Sequence, residues 1–356
     1  MKRKEAEEPT YEDFEQQYRT RLKDLKRPTV LVAGYTGSGK TTLIQAICGK
    51  EVVPDDKIGA GLPKTQAFDF YESDLIRFFD SKGLEPGDAE QKFVDDAKRF
   101  VRDLQERPNV DDHVHVVWYV VQGPGARVTP CDLRLIKDIF PNVIVVITKN
   151  DITRPDQCEG MTRVLTDAGV PARRIVACAE SDPASLRAVV ELSFELLPEA
   201  YREAFVAAQR IHLDRKKTAA QAVIAAAAVA AAAAGAVPIP FSDAAIITPI
   251  QLAMVAGLAV IYGEPADGLR AAAWPLVAEA IGIQTAASLT KLIPGLGSVI
   301  NAAVAFGLTE AVGQITNAQL VQRCEARING KPVPESKFEV GEFAQAYKAA
   351  RKKRCE

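Results

Sequence analysis

GYTGSGKTT, residues 34–42, lies between two runs of opposite periodicity. The run before it, TVLVAG (29–34), is β-branched and ends in glycine, which predicts a strand. The run after it, KTTLIQAICG (40–49), has apolar residues at helical spacing and stops at Gly49, which predicts a helix. Gly34, Gly39, Lys40 and Thr41 fit GxxxxGK[ST], and Thr36, Gly37, Ser38 and Thr42 complete the loop. Glycines in such a loop let backbone N–H groups face a phosphate chain. Lys40 is expected to reach the β- and γ-phosphates and Thr41 to hold Mg²⁺. A strand, this loop and a helix in sequence imply an α/β domain.

The wider composition fits a globular protein. Of 356 residues, 47% are apolar and 25% charged, with a formal net charge of -2. That balance carries no electrostatic footprint for nucleic acid. Six cysteines are scattered, and neither a CxxC pair nor a zinc-like cluster with the three histidines occurs, so reduced thiols in a cytosolic compartment are expected. MKRKEAEEPTYEDFEQQ at the start is charged, without the apolar core of a secretory signal.

Downstream, VIVVITKND (143–151) is an apolar strand ending in Thr148, Lys149, Asn150 and Asp151. The tetrapeptide fits [NT]KxD, which reads guanine. A carboxylate accepts from guanine N1–H and the N2 amino group together. Adenine offers no such donor pair and would leave the carboxylate unpaired, a loss of roughly 1.5–3 kcal/mol per hydrogen bond. The aliphatic stem of Lys149 can cover the ring. A further strand, RRIVACAES (173–181), brings Cys178, Ala179 and Glu180 to the place where the Ala179 N–H would meet guanine O6; a strand end with its loop reads equally well.

Between the two motifs lies YESDLIRFFDSKG (71–83). Asp80-Ser81-Lys82-Gly83 is a DxxG at a strand end: Asp80 is expected to hold Mg²⁺ through water, and the Gly83 N–H to touch the γ-phosphate. Thr65, in GAGLPKTQAFDFY, can add a hydroxyl to Mg²⁺ only when the γ-phosphate is present, as a switch requires. QAFDFYESDLIRFFD reads as two strands joined by a tight turn at Glu72 to Asp74.

With GYTGSGKT, LPKTQ, DSKG and TKND in this order, residues 28–200 resemble the TRAFAC-class GTPase domain, in its Era-like and immunity-related-GTPase-like neighbourhood. HVVWYVVQGPGARVTPCDLRLIKDIF (115–140) is similar to the strand, loop and helix of bacterial GTPases that carry a hydrophobic C-terminal domain. The resemblance implies GTP and GDP as ligands, Mg²⁺, and a three-layer fold on a mostly parallel six-stranded sheet. Two departures stand out. Leu84 follows the DxxG where Ras-like enzymes carry a glutamine that orients water, so slow hydrolysis is expected unless another group helps. Gly37 replaces the asparagine of potassium-activated, dimerising GTPases. Arg127, in GPGARVTP, is a candidate arginine finger in cis or across a dimer, although a solvated loop arginine is the commoner use. Trp118 reads as core, and His113 and His115 show no metal spacing.

The second half of the chain changes character. TAAQAVIAAAAVAAAAAGAVPIPFSD (218–243) and AAIITPIQLAMVAGLAVIYG (244–263) are nearly charge-free. Each apolar part, as a helix of about 20 residues, would span about 30 Å, enough for a bilayer. Alanine is also the best helix former, and small side chains let helices approach closely, so a compact helical domain fits as well. SLTKLIPGLGSVINAAVAFGLTEAVGQ (288–314) echoes the first unit as a second hairpin. The two resemble, over about 205–325, a bacterial domain of unknown function found behind GTPase domains and in some inner-membrane proteins. Arg215, Lys216 and Lys217 favour a cytoplasmic start if the first segment inserts.

The sequence thus divides into an N-terminal amphipathic helix (1–27), a GTPase domain (28–200), an Ala-rich helical domain (201–330) and a basic tail (331–356). EAYREAFVAAQRIHLDRKK (199–217) reads as a helical connector. The expectation is a GTP-binding, GTP-hydrolysing switch coupled to a helical effector domain. It is cytoplasmic or held at the cytoplasmic face of the inner membrane. Its partner is an unidentified protein, or itself through the GTPase domains, with membrane contact through 218–263 and 288–314. The alternatives are a membrane mechanoenzyme that oligomerises and a P-loop kinase, the latter disfavoured by TKND.

Overall fold

The computed structural model describes residues 10–50, 52, 68–81, 89–235, 243–278 and 302–355. Two compact units are resolved: Leu25–His212, and Met1–Asp24 together with Leu213–Glu356.

The first unit is a six-stranded sheet in the order β2-β3-β1-β4-β5-β6. Its strands are β1 (Thr29–Gly34), β2 (Phe68–Glu72), β3 (Arg77–Ser81), β4 (Val116–Gln122), β5 (Val143–Thr148) and β6 (Ile175–Ala177). Only β2 and β3 run antiparallel, with Phe70 opposite Phe79; the remaining pairs are parallel. The expected hairpin is therefore present. Its turn is held by the Ser73 hydroxyl, which accepts from the N–H of Leu75 and of Ile76.

Alternation along the buried strands builds two cores. Leu31, Phe79, Tyr119 and Val145 face α3 (Ala89–Gln105) and α5 (Pro155–Asp167). Val30, Phe78, Trp118 and Ile144 face α2 (Lys40–Cys48), α6 (Pro183–Leu196) and α7 (Glu199–Ala208). Trp118 is fully buried and donates Nε1–H to Ser193 Oγ at 2.8 Å, so it is a core residue. The short helix α4 (Pro130–Arg134) follows β4 and runs into a π-turn over Leu135–Ile139.

The expected connector is interrupted. α7 contributes Tyr201, Phe205 and Ala208 to the second core, and the chain then breaks at Gln209. Gln209 is fully buried; its amide donates to Val206 O and His212 O, and its Oε1 accepts from the His212 N–H at 2.6 Å. A side chain that satisfies this much backbone makes a fixed corner. The α/β unit accordingly extends to His212, twelve residues beyond the boundary read from composition.

The second unit is helical: α1 (Tyr11–Asp24), α8 (Leu213–Gly235), α9 (Asp243–Ile261), α10 (Leu269–Ala272), α11 (Ala302–Ile328) and α12 (Val340–Cys355). α1 belongs here. Its Tyr11 and Phe14 pack on Trp274, and its Tyr18 hydroxyl donates to Glu264 O at 2.5 Å. The Glu264 carboxylate is buried and accepts from Arg323 at 3.0 and 3.1 Å and from Arg327 at 2.6 Å, while Lys216 Nζ donates to Ile261 O at 2.7 Å. Buried charge needs such partners. Of the second hairpin, 288–301 lies outside the described residues, and 302–314 is the first part of one 27-residue helix, α11. The basic tail is also structured in part, since α12 buries Phe343, Tyr347 and Ala350.

Candidate functional site

At the end of β1 the backbone turns through three glycines in the left-handed region. Gly34 has φ 148°, Gly37 φ 76° and Gly39 φ 91°. At Gly34 a Cβ would also lie 2.2 Å from Val120 O, so only glycine fits beside β4. Gly39 passes directly into α2, whose first N–H groups have no helical acceptor. Lys40 is buried and folds back, donating Nζ–H to Gly34 O at 3.1 Å and Tyr35 O at 3.0 Å. Burial lowers its pKa, and the charge of Asp80 acts against that.

The Thr41 hydroxyl donates to Asp80 Oδ2 at 2.9 Å, joining α2 to the end of β3. This leaves the lone pairs of Thr41 for a cation. Asp80 Oδ1 is buried with no hydrogen-bond partner, and burial pushes the carboxyl up to about 6 despite Thr41 and Lys40. A hydroxyl and a carboxylate oxygen without a donor form a hard, oxygen-only pair, the donor set that suits Mg²⁺. Thr65, Gly83 and Leu84 lie outside the described residues.

The TKND loop is bound to the phosphate loop. The Thr148 hydroxyl donates to Ser38 O at 2.6 Å, and Lys149 Nζ donates to Gly37 O at 3.0 Å. Lys149 takes φ 57°, which turns the chain sharply after β5. The Asn150 N–H donates to Cys178 O and the Cys178 N–H to Ile147 O, so the loop after β6 is locked to the loop after β5. Cys178 itself is buried, and burial raises its thiol pKa. The Ala179 N–H donates to Ser185 Oγ at 3.2 Å. Asp151 and Glu180 are exposed.

These elements surround a cavity of about 580 Å³ that reaches from Gly39 and Thr42 past Thr148 and Lys149 to Asp151 and Glu180. Sequence motifs 110 residues apart thus line one space, Gly39 and Thr42 from the first and Thr148, Lys149 and Asp151 from the second. Thr36 is exposed on the loop. Arg127 is exposed in the loop between β4 and α4 and makes no hydrogen bond or ion pair among the described residues.

Two contacts at this site follow from no motif. The Ser38 carbonyl serves as the acceptor for Thr148, a backbone role that any residue type could fill. Tyr35, within the phosphate loop, donates its phenol to Glu90 Oε1 at 2.6 Å and lies 3.2 Å from Thr129 Oγ1. A large aromatic in a glycine-rich loop was the one available signal.

Residues 29–149 match the model of the family described as 50S ribosome-binding GTPase. Over 89 residues the chain is 35% identical to magnetosome membrane protein 22 of Magnetospirillum gryphiswaldense, which covers 22% of this chain and 46% of that protein. The chain therefore spans less than half of that relative. A solved structure described as a probable GTP-binding protein engB aligns with 49% of this chain and 99% of its own, at 19% identity and a TM-score of 0.38. The matched segment runs from β1 through Lys149, so it is this part of the α/β unit that is similar to that GTPase family.

Proposed function

We propose that this protein is a guanine-nucleotide switch that binds GTP and GDP with Mg²⁺, hydrolyses GTP slowly, and drives a helical effector unit. The observation that carries the reading is that exposed Asp151 lines the same cavity as Gly39 and Thr42 of the phosphate loop, beside Lys149. A carboxylate there rewards a base with two adjacent donors. Thr41 and Asp80 would hold Mg²⁺, which supplies charge neutralisation for the phosphates. Lys40 would exchange its two carbonyl partners for phosphate oxygens. The assignment to the Era-like and immunity-related branch rests on the order of the motifs.

Slow turnover follows from Leu84, which cannot orient water, and Arg127 is the candidate for a group supplied in cis or by a second copy. Competition of GTP, GDP and ATP for a fluorescent guanine nucleotide tests the binding. In Asp151→Asn, one acceptor becomes a donor facing donors. GTP affinity should fall more than about tenfold, while xanthosine triphosphate, with an acceptor at C2, should lose less or gain. Equal loss for both overturns the base assignment.

A second reading adds a membrane at the cytoplasmic face. α8 has 23 residues and is long and apolar enough to cross a bilayer, with most of its apolar stretch not buried. Against insertion, α9 and the residue that follows it are held by paired polar groups, with Gln251 donating to Thr309 and Tyr262 to Asn317. Flotation with vesicles in GTP and GDP separates a soluble switch from one that binds or remodels a bilayer. A partner protein, or self-association through the α/β units, is sought by pull-down in the two nucleotide states.

A further inference from the structure

Tyr35 joins the phosphate loop to two other elements. Its carbonyl accepts from Lys40 Nζ at 3.0 Å, and from the Ser38 N–H at 3.1 Å. Its phenol donates to Glu90 in the first turn of α3 at 2.6 Å. The same phenol oxygen lies 3.2 Å from the hydroxyl of Thr129, the residue that caps α4. In sequence, Glu90 follows the DxxG glycine by seven positions, and Thr129 follows Arg127 by two. Tyr35 thus touches the ammonium placed for phosphate and the helices that follow both candidate hydrolysis loops.

The anchor on the α4 side is rigid. Thr129 and Asp132 form a reciprocal cap: the Thr129 N–H donates to Asp132 Oδ2 at 2.6 Å, and the Asp132 N–H to Thr129 Oγ1 at 3.1 Å. The other carboxylate oxygen accepts from the buried Tyr119 hydroxyl on β4 at 2.5 Å. The phenol of Tyr35 is partly buried, and burial with the Glu90 carboxylate raises its pKa, so it remains a donor. A phenylalanine at position 35 would fill the same space and lose both contacts.

We propose that Tyr35 is a positioning residue for hydrolysis, holding the starts of α3 and α4 against the phosphate loop through one phenol. This rests on the reading of the loop as a GTP site. Ground-state nucleotide binding uses the loop backbone and TKND, which the phenol does not touch. Turnover is expected to depend on how the starts of α3 and α4 stand against the phosphate loop.

The test compares wild type with Tyr35→Phe, Glu90→Ala, Glu90→Gln and Tyr35→Phe/Glu90→Ala, all as full chains with Mg²⁺. GDP affinity and single-turnover GTP hydrolysis are measured, with amide exchange in α3. Tyr35→Phe should lower turnover roughly tenfold, the worth of a hydrogen bond to a charged group, with GDP affinity changed less than about threefold. Glu90→Gln keeps an acceptor and should restore most of the rate, and the double variant should be no slower than Tyr35→Phe. Exchange in the first turn of α3 should speed up with the same variants. Unchanged turnover, an equal loss of binding and turnover, or additive losses overturn the proposal. If Tyr35→Phe fails to fold, Glu90→Ala against Glu90→Gln carries the same comparison. Wild type that binds no GTP overturns the functional reading itself; wild type that hydrolyses GTP beside an equally fast Tyr35→Phe overturns only the role of Tyr35.

Discussion

The Thr148 hydroxyl donates to the carbonyl oxygen of Ser38 across 2.6 Å, the shorter of two hydrogen bonds that tie the TKND loop to the glycine-rich loop, the other running from Lys149 to Gly37 O. Ser38 is buried, and no water replaces a lost donor easily. Thr148→Val keeps the shape and removes the donor. GTP and GDP affinity should both fall roughly tenfold, with Thr148→Ser close to wild type. Titration of a fluorescent guanine nucleotide checks this. An unchanged affinity in Thr148→Val would mean that the two loops keep their spacing without the bond.

Asp80 places a cost on the folded protein. Its carboxyl is raised from 3.8 to about 6, chiefly by burial, so the folded state binds a proton more tightly than the unfolded chain. The associated stability is fully present below about pH 4 and is lost as pH rises through about 6. Asp80→Asn removes that loss. In chemical denaturation near pH 7 without nucleotide, it should be more stable by up to about 3 kcal/mol, with little gain near pH 4. The same variant should abolish the tightening of GTP binding by Mg²⁺.

His115 acts in the opposite sense. Its Nδ1 accepts from the Thr29 N–H at 3.0 Å, and burial, aided by His113, pushes its pKa down to about 4. The unfolded chain takes up this proton near its ordinary value of 6.5, before the folded state does. Stability from this group is complete above about pH 6.5 and is lost as pH falls toward about 4. Replacing it with Gln should flatten that limb by about 2 kcal/mol. Urea midpoints at several pH values give the answer, and an identical slope in both proteins would remove His115 from the account.

In the helical unit, Ala228 is fully buried one turn after Ile224, whose side chain lies against Gly313 of α11. Ala228→Leu should overpack this contact and destabilise by about 1–3 kcal/mol. Val229, the next residue and 61% exposed, is the control. Val229→Leu should leave thermal stability unchanged and raise partition to vesicles only if that face meets lipid. Stability unaffected by Ala228→Leu would mean that α8 packs through another face.

The candidate site was legible in the sequence because its requirements are local. Gly34 must accept φ 148° and a close β4 carbonyl, Lys40 must follow a left-handed glycine, and Thr148 to Asp151 must end a buried strand. Each demand restricts residue types at fixed spacing, whatever surrounds it. The antiparallel hairpin followed from strand patterns of the same kind, and the mostly parallel six-stranded sheet from the family resemblance. Tertiary structure alone decided the rest. Alanine looks alike on every face of a helix, so no periodicity in 218–235 marks Ala228 as buried and Val229 as exposed; neighbouring helices do that. Composition put the boundary near 200, but the burial of Phe205 and the corner made by Gln209 carry it to His212. α1 joins the helical unit through Tyr18 and Glu264, 246 residues apart, and Tyr35 meets Glu90 across 55. Such partners share no motif, because a hydrogen bond between distant residues constrains their positions in space and leaves no spacing in the chain.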